Sequence, residues 1–291
     1  MGSLIVLLLQ ILLLVILGSF LLRYYEWRGL PAEVRGETGE RLAPWLTGTL
    51  AVLWEFVTSL SVLLLIPVGW FDRDPDHRMD SDDRPILFIP GLIETRSAFI
   101  VLKRYFQRRG HRGGLFTVNL GPLNATLPYL AGLIDDRVDE IRAQTGKDKV
   151  DLICHGVGGL AARMYVKGRG ADKIHTLITI GSPHQGTRLS VLFSGRLGRD
   201  IAPDAAAIRE LNEDIAHEIK TGPTYLNIYS TFDNTILPPT LAELPGAVNY
   251  RLEYIGHTAL LFSPEVRTIC GRALHGSSTQ GAEFHAEYPD D

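Results

Sequence analysis

The chain has little cysteine, little charge of either sign and no run of basic residues. Two cysteines in 291 residues, Cys154 and Cys270, exclude a disulfide-dense scaffold and a four-cysteine zinc site. One bridge between them stays open, so cysteine usage does not fix the redox compartment. Charged residues make up 21% of the chain and the net charge is −4. Without a Lys/Arg block, nothing here captures nucleic acid electrostatically. Disorder is excluded in turn, because 45% of the residues are hydrophobic. The length admits one large domain or two small ones. Twenty-nine glycines are present, concentrated after residue 90 beside apolar runs, which is the pattern of tight strand-to-helix turns.

Hydrophobicity is unevenly placed. Between Leu4 and Leu22 the only polar side chains are Gln10 and Ser19. A helix of this length reaches roughly 28 Å, close to the hydrocarbon thickness of a bilayer. A cleaved signal peptide fits less well, since Met1-Gly2-Ser3 has no basic side chain and Gly18-Ser19 is followed by Phe20-Leu21-Leu22. A second apolar stretch, Trp45 to Phe71, carries Gly48, Ala51, Glu55, Ser59 and Val62 on one helical face. This reads as an interfacial helix or as a second span whose polar stripe packs on the first, with Gln10 as a partner for Glu55. Trp45 and Trp70 near its ends fit interface aromatics. Arginines 23, 28, 35 and 41 outnumber 73, 78 and 84, which leans toward a cytoplasmic connection and an external or periplasmic main domain. The expected organisation is a membrane anchor of one or two helices over 1–71, a linker over 72–84, a folded domain over 85–274 and a polar tail over 275–291.

The folded region alternates strand and helix patterns. Strands are expected at 85–90, 115–120, 149–154, 174–180, 225–230 and 248–254, and helices at 97–109, 129–144, 158–167, 205–220 and 264–273. Near-continuous apolar strands separated by helices predict an α/β fold, a mostly parallel sheet covered on both faces. Ligands then bind beyond the carboxyl ends of the strands. Four such ends stand out: Ile89-Pro-Gly-Leu-Ile93, Cys154-His-Gly-Val-Gly-Gly159, Ser230-Thr-Phe-Asp233 and Tyr254-Ile-Gly-His257-Thr. With Ile178-Thr-Ile-Gly-Ser-Pro-His-Gln-Gly-Thr187 and Gly256-His-Thr-Ala-Leu-Leu-Phe-Ser-Pro264, residues 85–272 resemble the bacterial lipases and esterases of the α/β-hydrolase fold.

The resemblance implies roles. In that family a serine on the strand-to-helix elbow attacks an acyl carbonyl, a histidine takes its proton, and an aspartate orients the histidine. His257 matches the base and Asp233 its orienting acid. The backbone N–H groups of Leu92 and Val157 match the oxyanion-hole donors. The elbow departs from the family pattern G-x-S-x-G: Cys154 replaces the first glycine and Gly156 the nucleophile, leaving Gly158. Cys154, two residues earlier, should pack inward, and Ser182 and Ser190 lie off the elbow. Glycine tolerates the strained turn, so the change removes chemistry and leaves the scaffold. Three readings stay open: a noncatalytic relative, a variant of an active hydrolase, or hydrolysis by water activated at His257.

Other residues carry plainer expectations. His155 reads as a packing and turn residue, His184 as one that orders its loop, and His111 and His175 as surface or edge histidines. Asp135, Asp136, Asp139 and Glu140 read as a solvated helix face. No cofactor or metal is expected. The expected partners are the membrane and an acyl ester or lipid; a protein partner is not specified by the sequence. Residues 188–224 are placed to cover the site as a lid. Two functions follow: a membrane-anchored lipase or esterase, impaired by Gly156, or a noncatalytic domain that binds lipid or protein at the membrane.

Overall fold

A computed structural model describes residues 2–30, 44–71, 81–92, 94–121, 125–193 and 195–275. The stretches 31–43, 72–80 and 276–291 lie outside the described residues, and with them most of the expected linker, the polar tail and Arg35, Arg41, Arg73 and Arg78. The side chains of Trp45 and Trp70 also lie outside them.

Six parallel strands form one sheet: β1 (Ile86–Ile89), β2 (Leu115–Thr117), β3 (Val150–His155), β4 (Ile174–Ile180), β5 (Thr224–Ser230) and β6 (Val248–Leu252), in the order β2-β1-β3-β4-β5-β6. All six residues of β3 are buried, as a central strand covered on both faces requires. Alternate side chains feed two cores. Leu87, Phe116, Leu152, Cys154 and Leu177 pack on one face against helices α4 (Leu127–Thr145) and α5 (Val157–Tyr165). Ile86, Phe88, Ile153, Ile178 and Ile228 pack on the other against α3 (Ile100–Arg108) and the C-terminal helix (Pro264–His275). The bridge that the sequence left open does not form: both cysteines are free, and they sit in opposite cores.

The expected helix over 205–220 is two helices, α7 (Ala206–Asn212) and α8 (Ile215–Thr221), following a short α6 (Arg196–Asp200). Between α7 and α8 Asp214 takes φ +54°. Cations from the neighbouring α5 region capture the carbonyls that a continuous helix would need. Arg163 donates to Leu211 O at 2.7 Å, and Lys167 Nζ donates to Glu210 O and Glu213 O at 2.5 and 2.6 Å.

The two apolar segments are helices α1 (Gly2–Arg28) and α2 (Pro44–Phe71), both long and apolar enough to cross a membrane. The small and polar stripe of α2 packs in part on the α/β body. Ala51, Glu55, Thr58 and Val62 are buried, and two of them reach the α/β body: Val62 joins the core beside Ile86 and Phe99, and Glu55 bonds to residues 258–259. Gln10 is exposed and is not the partner of Glu55. The physical reason is that the α/β body presents the backbone amides of Thr258 and Ala259, which need an acceptor, and the Glu55 carboxylate supplies two. The opposite faces of both helices expose leucine, valine and isoleucine.

Candidate active site

Strand β3 ends at His155, and Gly156 follows with φ +52° and ψ −128°. L-residues adopt that conformation only at a cost, so the position suits glycine. Helix α5 starts at once and lies tight against the sheet. A Cβ on Gly158 would overlap the carbonyls of Ile89 and Pro90, and one on Gly159 would stand 2.8 Å from Ser182 Cβ. At Gly156 the space is different. A Cβ there would stand 3.4 Å from His257 Nε2 and 3.6 Å from Gly91 Cα, ordinary contact distances. The elbow therefore has room for a side chain, aimed at an imidazole nitrogen.

Asp233 lies in the loop after β5 and is fully buried. Its Oδ1 accepts from Thr235 N at 2.8 Å, Thr235 Oγ1 at 3.0 Å and Ile236 N at 3.0 Å. Its Oδ2 stands 2.7 Å from His257 Nδ1. With Asp233 ionised, Nδ1–H donates and Nε2 faces Gly156, the orientation that a general base needs. Burial opposes both charges, but the partner charge and hydrogen bonds win on each side. The Asp233 carboxyl is held below its ordinary range by His257 and the loop amides, and the His257 imidazole is pushed up to about 9. Asp233 is the chief cause of that rise, followed by the carboxyl groups of Glu94 and Glu55. Gly181 underlies the pair at φ +53°, where a Cβ would approach His257 Nδ1 at 3.2 Å and Asp233 Oδ2 at 3.3 Å.

A second carboxyl–histidine pair lies beside the first. Glu94 Oε2 accepts from Gly91 N at 2.6 Å, and Glu94 Oε1 stands 2.8 Å from His155 Nδ1, close in distance but off the line of a good hydrogen bond. His155 Nε2 lies 3.2 Å from the His257 carbonyl, and the two imidazoles are 4.4 Å apart. The pair thus ties the loop after β1 to the loop of His257. Glu94 was not singled out from the sequence; the signal available was a carboxyl residue three positions after Gly91 in a loop at a strand's carboxyl end.

Leu92 and Val157, with Gly91, Gly156 and His257, line a cavity of about 260 Å³. Most of its wall is apolar, and four wall residues come from the apolar helices: Leu12 of α1, and Ser59, Val62 and Leu63 of α2. Phe193 and Ile201, from the segment read as a lid, close another side. Ser182 and Ser190 are buried and are not part of this wall. Cys154 is fully buried, and desolvation drives its thiol well above the usual range, so it stays protonated and inert.

Of the other histidines, His184 is fully buried and burial, helped by the Arg163 charge, keeps it neutral. It accepts from Arg163 through Nδ1 at 3.4 Å and bonds to Thr179 Oγ1 through Nε2 at 2.9 Å, which orders its loop. His111 is a correction: its side chain is only 5% exposed, edge-on to Phe106. His175 is partly exposed, 3.3 Å from Asp151. Asp135 and Asp139 pair with Lys173, and Glu140 with Arg137, on the outer face of α4.

The comparisons agree with this fold. The family model described as palmitoyl protein thioesterase matches residues 116–225. Aspergillus fumigatus lipase B superposes with a TM-score of 0.58 at 17% identity, over 70% of this chain and 55% of that one. The chain thus spans little more than half the length of that lipase. A mature Bacillus licheniformis lipase gives 0.56 at 16% identity, over 69% and 95%. A Paleococcus ferrophilus monoacylglycerol lipase gives 0.52 at 13% identity, over 70% and 96%. With its six-stranded parallel sheet, its helices on both faces and its Asp233–His257 pair facing a strand-to-helix elbow, the chain has a lipase-like α/β-hydrolase fold.

Proposed function

We propose that this chain is a membrane-anchored, lipase-like domain built for acyl esters and catalytically impaired because Gly156 stands at the nucleophile position. The observation that carries the reading is the Asp233–His257 pair at 2.7 Å with Nε2 3.4 Å from where a residue-156 Cβ would be. The base and its orienting acid are in place, and the attacking hydroxyl is missing. The apolar cavity and the likeness to proteins named lipase and palmitoyl protein thioesterase support an acyl compound as ligand. The apolar helices support the anchor. The arginine count supports an external domain.

Chemically, Nε2 would take the proton of an attacking hydroxyl, and the resulting imidazolium would be stabilised by the Asp233 charge. Leu92 and Val157 N–H groups would receive the oxyanion. Without a hydroxyl at 156 the first step has no nucleophile. Hydrolysis of short p-nitrophenyl esters by the chain and by Gly156→Ser tests this. The chain should be slow or silent, and the serine variant active, with the gain lost on His257→Ala. Ordinary esterase turnover by the unaltered chain, lost on His257→Ala, would favour activated water instead. A second reading is a noncatalytic lipid- or protein-binding domain. It is favoured by the same absent hydroxyl above an open apolar cavity, and it wins if Gly156→Ser folds but stays inactive.

A further inference from the structure

His257 opens a short 3₁₀ helix, Thr258–Phe262, as its N-cap residue. Helix N-termini leave amide groups without partners, and a side chain of the N-cap residue ordinarily takes one. The His257 side chain cannot do so, because Nδ1 is committed to Asp233. The acceptor comes from α2 instead. Glu55 Oε1 accepts from Thr258 N at 3.0 Å and Oε2 from Ala259 N at 2.9 Å, and the residue is only 2% exposed. Ser59, one turn on, bonds to both Glu55 and Thr258. On the other side of His257, a Cβ on Gly256 would stand 2.7 Å from Glu55 Cδ, so only glycine fits under the carboxyl group. Residues 256, 258 and 259 are therefore all held against one side chain of an apolar helix.

Helix α1 supplies a parallel hold. His257 N donates to Asn234 Oδ1 at 3.1 Å, and Asn234 Nδ2 donates to Ser19 Oγ at 2.8 Å. Arg23 donates to Thr231 O at 2.7 Å, with its guanidinium over the Phe232 ring. An apolar segment that served only to sit in lipid would gain nothing from a buried carboxyl group, which costs free energy unless it is bonded.

We infer that the apolar helices are part of the site, and that Glu55 is a positioning residue for His257, capping the loop that the histidine itself cannot cap. The inference rests on the proposed hydrolase function only for its chemical consequence; the placement of the loop is measurable without turnover.

The test uses the full chain in detergent micelles. Glu55→Gln keeps the volume but retains only one acceptor oxygen, and Glu55→Ala removes both. In Glu55→Gln, amide exchange at Thr258 and Ala259 should quicken about tenfold while strands β3 and β4 stay protected. The His257 imidazole titration, followed by NMR, should shift down from its raised position. In the Gly156→Ser background, kcat should fall on the order of ten- to a hundredfold with KM little changed. Glu26→Gln, a carboxyl change on α1 that touches Arg188 and not these loops, should leave all three readings as they were. If Glu55→Ala does not fold, Glu55→Gln decides the matter. A folded Glu55→Gln chain with unchanged exchange at 258–259 and an unchanged His257 titration overturns the inference. Altered exchange and titration with an inactive Gly156→Ser would sink the hydrolase reading and leave the positioning role standing.

Discussion

Across from His257 Nε2, residue 156 is a backbone turn with room for a side chain and none present. Two consequences can be measured at the scale of that residue. Gly156→Ser places a Cβ at φ +52°, which should cost about 1–3 kcal/mol, so a thermal melt should shift down by a few degrees while the fold persists. The second concerns pH. The His257 imidazole is raised from 6.5 to about 9 in the folded chain, so its stabilising ion pair with Asp233 is complete below about pH 6.5. It is lost as pH rises through about 9. Asp233 is lowered from 3.8, so its contribution is present above that value and fades as pH falls below it. Melting temperature against pH should therefore hold level from about pH 4 to 6.5 and decline toward 9. A general base must be unprotonated, so esterase activity in Gly156→Ser should rise over the same upper range. A melting curve that climbs between pH 7 and 9 would contradict the assigned ion pair.

At the scale of elements, α5 and its neighbours hold the elbow. Arg163 is fully buried and donates to Leu211 O and Asn212 Oδ1, and Asn212 in turn donates to His184 O. Arg163→Ala should destabilise the chain by about 1–3 kcal/mol, because it strands those neutral acceptors in the interior. Equilibrium unfolding in detergent checks this, and a loss below about 1 kcal/mol would mean that water replaces the guanidinium. The sheet class was legible because the runs of β1, β3 and β5 are apolar, almost wholly buried and followed by Pro-Gly, by Gly156 or by an Asp-bearing turn. Asp233 and His257 were singled out by the family resemblance together with their position at successive strand ends. The break between α7 and α8 was not legible, since it is imposed by Arg163 and Lys167 reaching across from another element. The partner of Glu55 was misread for a related reason: a polar stripe on a helix specifies that something packs there, not which surface. His111 and Glu94 were missed because burial and a loop's return contact depend on tertiary neighbours.

On the scale of the whole molecule, the two apolar helices expose broad aliphatic faces outward and send Glu55, Ser19 and Arg23 inward to the loops of His257 and Asp233. Such faces exceed what a soluble monomer leaves uncovered, so the full chain should stay in the pellet on alkaline carbonate extraction. Quantitative recovery in the supernatant would contradict the anchor. The cavity lies between these helices and the sheet's carboxyl edge, with Gly156 and His257 in its wall, and under the proposed function it would take the acyl chain. The central claim, that the site behind Gly156 is otherwise assembled, is tested most directly by a fluorophosphonate probe. Gly156→Ser should be labelled at residue 156, the unaltered chain should not, and His257→Ala in the serine background should abolish the signal. A folded Gly156→Ser chain that stays unlabelled, or labelling of the unaltered chain, would contradict the account.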